Sequence, residues 1–197
     1  HRDLHSFPTR RSSDLDNGKN AEDITYEERI ERMKLRIANR EDLPAVVDIY
    51  NSTIASRMVT ADTEPVTPEE RLNWFLSHTE ERPLYIAENE KRDIVGWISF
   101  ESFYGRPAYA KTAEVSIYLH EDHRGKGAGS AVLEKALEAA PKLGIRSLMA
   151  FIFAHNEPSM KLFKKYGFTE WGHFPGIAEM DGIRYDLKIL GKELNEA

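Results

Sequence analysis

The stretch Val115-Ser116-Ile117-Tyr118-Leu119-His120-Glu121-Asp122-His123-Arg124-Gly125-Lys126-Gly127-Ala128-Gly129-Ser130 decides the fold of this chain. It reads as a strand, a basic glycine-rich turn and the start of a helix. Val115, Ile117 and Leu119 alternate with Ser116 and Tyr118, the period of a half-buried strand. Beyond the turn, Val132, Ala136 and Ala140 recur four apart with Leu133 and Leu137 beside them, which makes one apolar helix face. A helix that opens on glycines presents unpaired N–H groups and the positive end of its dipole. Bare backbone there can approach a phosphate closely.

Three phosphate-binding patterns compete for this turn. A P-loop needs its lysine after the last glycine, and Lys126 lies between the first two. A dinucleotide fingerprint needs a glycine where Ser130 stands, and an acid at the end of the next strand. That strand, Ser147 to Phe153, carries none. The third pattern, R-x-x-G-x-G, is matched by Arg124, Gly127 and Gly129. It resembles the pyrophosphate loop of the GNAT acetyltransferases, which bind acetyl-CoA.

A second element supports that resemblance. Asn156-Glu157-Pro158-Ser159-Met160-Lys161-Leu162-Phe163-Lys164-Lys165-Tyr166-Gly167-Phe168 is similar to the N-x-x-[SA]-x-x-L-[YF]-x-x-x-G-F element of the superfamily. Physically it is a capped helix, with Asn156 as N-cap, Pro158 in the first turn and Gly167 as the residue that turns the chain. From Met33 onward the chain resembles the phosphinothricin and methionine sulfoximine acetyltransferase branch. The residues that carry this are Ile49 to Ile54, Trp97 to Phe100, Thr112 to Tyr118 and Gly176 to Ala178.

The order of patterned segments is β-α-α-β-β-β-α-β-α-β-β. Helices are expected at about 41–56, 67–77, 127–143 and 158–166, and a hairpin turning on Asp181-Gly182 closes the chain. The expected class is α/β, the GNAT acyl-CoA acyltransferase fold, with a mixed central sheet flanked by helices on both faces. Residues 33–197 are expected to form a single domain. Residues 1–32 are expected to be a non-native or disordered extension, because 2–15 resemble a translated sequencing adapter and 16–32 lack a complete amphipathic repeat. Met33 reads as a plausible native start.

From Met33 onward 21 Lys+Arg face 25 Asp+Glu, so a nucleic-acid partner is not expected. The chain has no cysteine, which excludes disulfides, thiolate catalysis and Cys-ligated zinc. No His/Asp/Glu spacing reads as a metal site. No apolar run approaches the roughly 20 residues that span a bilayer, so no membrane partner and a cytoplasmic location are expected.

Acetyl transfer to an amine needs a fixed thioester, donors for the oxygen that gains charge, and a base for the ammonium proton. The resemblance assigns the thioester arm to Ile117, Tyr118, Leu119 and Asn156. It assigns the pyrophosphate to Arg124, Gly125, Lys126, Gly127, Ala128, Gly129 and Ser130, with Lys165 nearby. Glu114 is the implied general base. A carboxyl near pH 4.3 must be raised by burial to take a proton from an α-ammonium, whose pKa is near 8. The residue-level alternative is a solvated glutamate, and His155 is another possible proton carrier. For the leaving thiolate, Phe163 stands where many relatives have tyrosine and cannot donate. Tyr166, one turn on, or direct loss to solvent remain open. Tyr104, Gly105 and Arg106, with Glu114, Val115 and Ser116, are implied to line the acceptor pocket. Arg57 is a second candidate for the substrate carboxylate, since a guanidinium fits carboxylate bidentately.

The implied activity is acetyl transfer from acetyl-CoA to the α-amino group of a small amino-acid-like compound, in a homodimer. A polyamine, an antibiotic amine or a protein N-terminus is the alternative acceptor. A non-catalytic acyl-CoA sensor is the alternative class, and Glu114 argues against it.

Overall fold

The computed structural model describes residues 24–195. Seven strands form one sheet in the order β1-β2-β3-β4-β5-β7-β6. They are β1 (Lys34–Ile37), β2 (Leu84–Glu88), β3 (Ile94–Ser102), β4 (Thr112–Leu119), β5 (Ser147–Phe153), β6 (Thr169–Met180) and β7 (Ile183–Glu193). All neighbours are antiparallel except β4 and β5. That parallel pair needs a crossover, and α4 (Ala128–Ala139) supplies it. The other helices are α1 (Tyr26–Arg32), α2 (Leu43–Asn51), α3 (Pro68–Leu76) and α5 (Glu157–Lys165). The expected mixed sheet with helices on both faces is what the chain builds.

Alternation along β3 divides the core. Ile98 and Phe100, both fully buried, pack with α1, α4 and α5 on one face. Trp97 packs with Leu84, Ile86, α2 and α3 on the other. Gly96 permits this close pairing, since a Cβ there would lie 2.3 Å from the Tyr118 carbonyl oxygen.

Local chemistry sets the boundaries. Thr67 caps α3 in a capping box with Glu70, and Asn156 caps α5 by accepting from Ser159 N–H. Asp181 (φ 53°) and Gly182 (φ 75°) both adopt the left-handed conformation of a two-residue hairpin turn. The segment expected as one helix over 41–56 is broken into a 3-10 turn at Arg40–Asp42, then α2, then a 3-10 turn at Ile54–Ser56. Ser52 and Thr53 end α2 by turning their hydroxyls onto the carbonyls of Ile49 and Tyr50. The helix expected to reach Leu143 stops at Ala139 and tightens into a 3-10 turn. Pro141, which lacks an N–H, sits in that turn.

Within the expected extension of residues 1–32, residues 1–23 lie outside the described residues. Residues 26–32 form α1. Thr25 caps it in a box with Glu28, and Ile30 is buried against the α4 face of the core. One buried apolar residue in seven leaves no periodicity to read.

Candidate active site

β4 is the axis of the site. Its first three residues, Thr112–Glu114, pair with Ser147–Met149 of β5. Past Glu114 no further β4–β5 pair forms, although β4 runs to Leu119 and β5 to Phe153. The backbone of Val115–Leu119 therefore faces β5 without strand partners among the described residues. On its other edge β4 remains paired with β3 through to Leu119.

Glu114, Ser116 and Tyr118 leave β4 on the α2/α3 face. Their partners on β3 are Glu101, Ser99 and Trp97. Together with α2 and α3 these strands surround a cavity of about 150 Å³, lined by Tyr50, Arg71, Trp74, Trp97, Ser99, Glu101, Ser116 and Tyr118, among others. Glu114 lies beside it, between Ser116 along the strand and Glu101 across the pair. Burial, and then the Glu101 carboxylate, push the Glu114 carboxyl up to about 7. That value suits a base working near neutrality.

Arg71 is the cation of this cavity. Its guanidinium lies 4.4 Å from the Tyr50 ring centroid and 5.4 Å from that of Trp74. Its Nη2 donates to Asp62 Oδ2 at 3.1 Å, and Asp62 also accepts from the Tyr50 hydroxyl. Trp97 stacks on Tyr118 at 4.4 Å, and burial raises the Tyr118 hydroxyl, so it stays protonated.

β4 then leads into the glycine-rich turn. Gly125 (φ 72°) and Gly127 (φ 77°) adopt a conformation that side chains disfavour, and Gly127 is the N-cap of α4. Arg124 is held by bonds from Nε to the Leu119 carbonyl (3.1 Å) and from Nη2 to Ser52 Oγ (2.6 Å). Lys126 Nζ donates to the Asp122 carbonyl. Arg124, Gly125, Lys126 and Gly127 are exposed, whereas Ala128 is buried and Gly129 and Ser130 are half-buried. A Cβ on Gly129 would come 3.2 Å from Leu162 on α5. Exposed cations, glycine backbone and a helix of twelve residues opening on them fit a pyrophosphate. The unpaired edge of β4 fits the amides of an extended thiol arm.

The structure brings Ser116 and Tyr118 into the lining of one cavity, with Glu114 beside it on the same strand, and Leu119 to Arg124. Val115 is buried on the opposite face. Other sequence-derived residues stand elsewhere. The Tyr166 hydroxyl is bonded to Glu134 Oε2 (3.2 Å) and to the Tyr26 hydroxyl, none of which lines the cavity. Lys165 sits 5.5 Å and 5.7 Å from the Tyr26 and Tyr166 ring centroids. Tyr104, Gly105 and Arg106 are exposed, Tyr104 at 76%. Arg57 is tied to Asp181 and to the Thr63 carbonyl. His155 Nε2 lies 2.7 Å from the Arg57 carbonyl, so Nε2 carries the hydrogen, and Nδ1 is buried without a partner among the described residues. The Asn156 Oδ1 is occupied by the cap of α5.

Sequence reasoning missed Arg71, Trp74, Ser99 and Glu101. The signal for the last two was present. Trp97, Ser99 and Glu101 alternate with Ile98 and Phe100, which puts a polar stripe opposite Glu114 and Ser116.

Residues 44–168 match the family model of the "Acetyltransferase (GNAT) family". A Bacillus subtilis (strain 168) protein named "Putative phosphinothricin acetyltransferase YwnH" is 72% identical over 163 residues, which is 83% of this chain and all of that protein. A Pseudomonas aeruginosa L-methionine sulfoximine/L-methionine sulfone acetyltransferase is 27% identical over 82% of this chain and 94% of its own. A Sinorhizobium meliloti phosphinothricin acetyltransferase, solved in complex with acetyl-CoA, superposes with a TM-score of 0.76 at 27% identity. That match covers 83% of this chain and 89% of that one. The chain belongs to the GNAT acetyltransferase family, and it is an N-acetyltransferase. Among the described residues, no helix is long and apolar enough to cross a membrane, and no group of three metal-binding side chains is placed to hold an ion.

Proposed function

We propose that this chain transfers the acetyl group of acetyl-CoA to the α-amino group of a small amino-acid-like substrate of the phosphinothricin, methionine sulfoximine or methionine sulfone class. The observation that carries this reading is one small cavity with a fixed guanidinium, Arg71, in its lining and the Glu114 carboxyl beside it, next to the lining residues Ser116 and Glu101. An α-amino acid offers an ammonium and a carboxylate a few ångströms apart, which suits those two groups. The names of the Pseudomonas and Sinorhizobium relatives support the same class.

Acetyl-CoA supplies the activated acetyl thioester. The Gly125–Ser130 backbone, Arg124 and Lys126 hold its phosphates, with Lys165 near the far end. Backbone groups of Ile117, Tyr118 and Leu119 hold its arm along the open edge of β4, and Asn156 lies beside it. Arg71 holds the substrate carboxylate. Glu114 accepts a proton from the ammonium, which frees the lone pair that attacks. The thiolate leaves to solvent, or is protonated by Tyr166 once its bond to Glu134 is given up. The Tyr104–Arg106 segment, which precedes β4, contributes to the acceptor pocket, and the enzyme acts as a homodimer. The catalytic unit lies within 33–197, and the enzyme works in the cytoplasm.

Thiol release from acetyl-CoA, measured against a panel of amines, tests this. Phosphinothricin, methionine sulfoximine and methionine sulfone should be turned over well above spermidine, an aminoglycoside or a peptide N-terminus. Preference for any of the latter three would replace the substrate class. Acetyl-CoA binding without turnover of any amine would favour a sensor.

A further inference from the structure

We propose that Glu101 is a specificity-determining residue that receives the substrate's amine as an ammonium, so that its proton is given up only inside the cavity. This rests on the acetyl-transfer reading above. Glu101 is the Cα partner of Glu114 across the β3–β4 ladder. Opposed side chains in such a ladder leave the same face with Cβ atoms about 4.5–5.5 Å apart. Trp74 Nε1 donates to Glu101 Oε1 at 2.6 Å, which fixes the carboxylate at the cavity wall and leaves Oε2 for a ligand. A donor aimed at one carboxylate of a close pair keeps the charge there and leaves the shared proton to the other. Glu101 is thus the carboxylate held in place at the wall, and Glu114 the group that takes up the proton.

Ser99 adds a third acceptor. His78 Nδ1 lies 3.0 Å and 3.2 Å from the carbonyl oxygens of Trp74 and Phe75. Carbonyls only accept, so Nδ1 carries the hydrogen. Nε2 then accepts from the Ser99 hydroxyl at 2.8 Å. With its hydrogen committed to His78, Ser99 Oγ offers the cavity only lone pairs. An alkylammonium has three N–H donors, and Glu101, Ser99 and Glu114 are three acceptors. A neutral amine needs a donor for its lone pair, which none of the three supplies while Glu114 is ionised. Besides Glu114, the charged or titratable groups around this face are Tyr118 on β4, Glu101 on β3, Tyr50 on α2, Arg71 on α3, His78 just beyond it, and Asp62 before α3, which holds Arg71 and the Tyr50 hydroxyl.

In the transfer one N–H bond breaks and its proton forms an O–H bond on Glu114. The freed lone pair then turns to the acyl carbon and forms the N–C bond, the C–S bond breaks, and a second N–H proton passes from the nitrogen to the leaving thiolate or to solvent, so the amide keeps one N–H. The ammonium beside Glu114 also favours its ionised form, so the base is prepared by the substrate that needs it.

Glu101→Gln keeps an acceptor for Trp74 and removes the charge. Trp74 and Trp97 line the cavity, so tryptophan fluorescence reads binding without turnover. Three probes serve: methionine sulfoximine, the same molecule with hydrogen in place of the amino group, and n-butylamine. The substitution should weaken methionine sulfoximine and n-butylamine by about ten-fold or more, the scale of a hydrogen bond to a charge. The deaminated compound should change less than about two-fold. In turnover, KM for the amine should rise while KM for acetyl-CoA holds, and the acidic limb of the kcat/KM profile should move to lower pH. Unchanged amine affinity, or equal losses for all three probes, would overturn the proposal. If n-butylamine binds in a Glu101-dependent way and methionine sulfoximine does not bind, the amino-acid reading falls and the role of Glu101 stands. If the wild type binds neither amine, both fall.

Discussion

The Arg71 guanidinium is clamped between the Tyr50 ring, 4.4 Å away, and the Asp62 carboxylate, which also accepts from the Tyr50 hydroxyl. The clamp fixes a flexible side chain before any ligand arrives, which lowers the ordering cost of binding.

Arg71→Ala should therefore raise KM for the amino-acid substrate by roughly 10- to 150-fold, the range of a lost charged hydrogen bond. The KM for acetyl-CoA should be unaffected. Arg71→Lys should recover little, because an ammonium cannot reproduce bidentate contact with a carboxylate. Steady-state kinetics with each substrate varied in turn checks both.

Gly127→Val should abolish acetyl-CoA binding in calorimetric titration. The position has φ 77°, where a β-branched residue is strained, and its backbone opens α4. Arg124→Ala leaves the backbone intact and should cost roughly 1.5–3 kcal/mol.

Glu114→Gln should lower kcat by about 10²–10⁴ while acetyl-CoA affinity stays near wild type. The wild-type kcat/KM should rise with pH through about 7, where Glu114 ionises. That limb should vanish in the variant.

The same carboxyl links stability to pH. Its folded pKa of about 7 lies above the ordinary value of 4.5, so the folded state binds more protons between those limits. Stability contributed at this site falls as pH rises through that window. Glu114→Gln removes the effect, so its melting temperature should gain on wild type from about pH 5 to pH 8. A gap that stays constant across this range would place Glu114 in a solvated setting.

A chain beginning at Met33 should fold, since all seven strands and helices α2 to α5 lie beyond that residue. It should be less stable by about 1.5–3 kcal/mol, the scale of burying one isoleucine, because Ile30 is buried in the core that α4 helps build. Chemical denaturation of both chains measures the difference.

Most of the fold was legible because its signals are local. The strand that runs into Arg124 and the glycines, the Thr67 box, the Asn156 cap and the Asp181-Gly182 turn each act within a few residues. Breaks inside long helical patterns were not legible, because hydroxyls at Ser52 and Thr53 compete with the backbone in a way that periodicity does not record. The glycine-rich turn that opens α4 could be read for the same local reason. The cavity between β3, β4, α2 and α3 could not, since Arg71 looks like a surface residue of α3 until Tyr50 and Asp62 close around it. Glu101 has meaning only opposite Glu114, and register between strands is a long-range fact.

The short β4–β5 ladder has a consequence for handling the protein. Three residue pairs join the two halves of a seven-stranded sheet, and beyond them lies an edge in the middle of the molecule. Unpaired strand edges recruit other extended chains, so this cleft adds an inner edge to the two outer ones at β1 and β6. A thiol arm lying along it would act as a removable eighth strand. Free coenzyme A in storage buffers should then keep the protein dispersed, and amide hydrogens of Val115–Leu119 should exchange more slowly with it present.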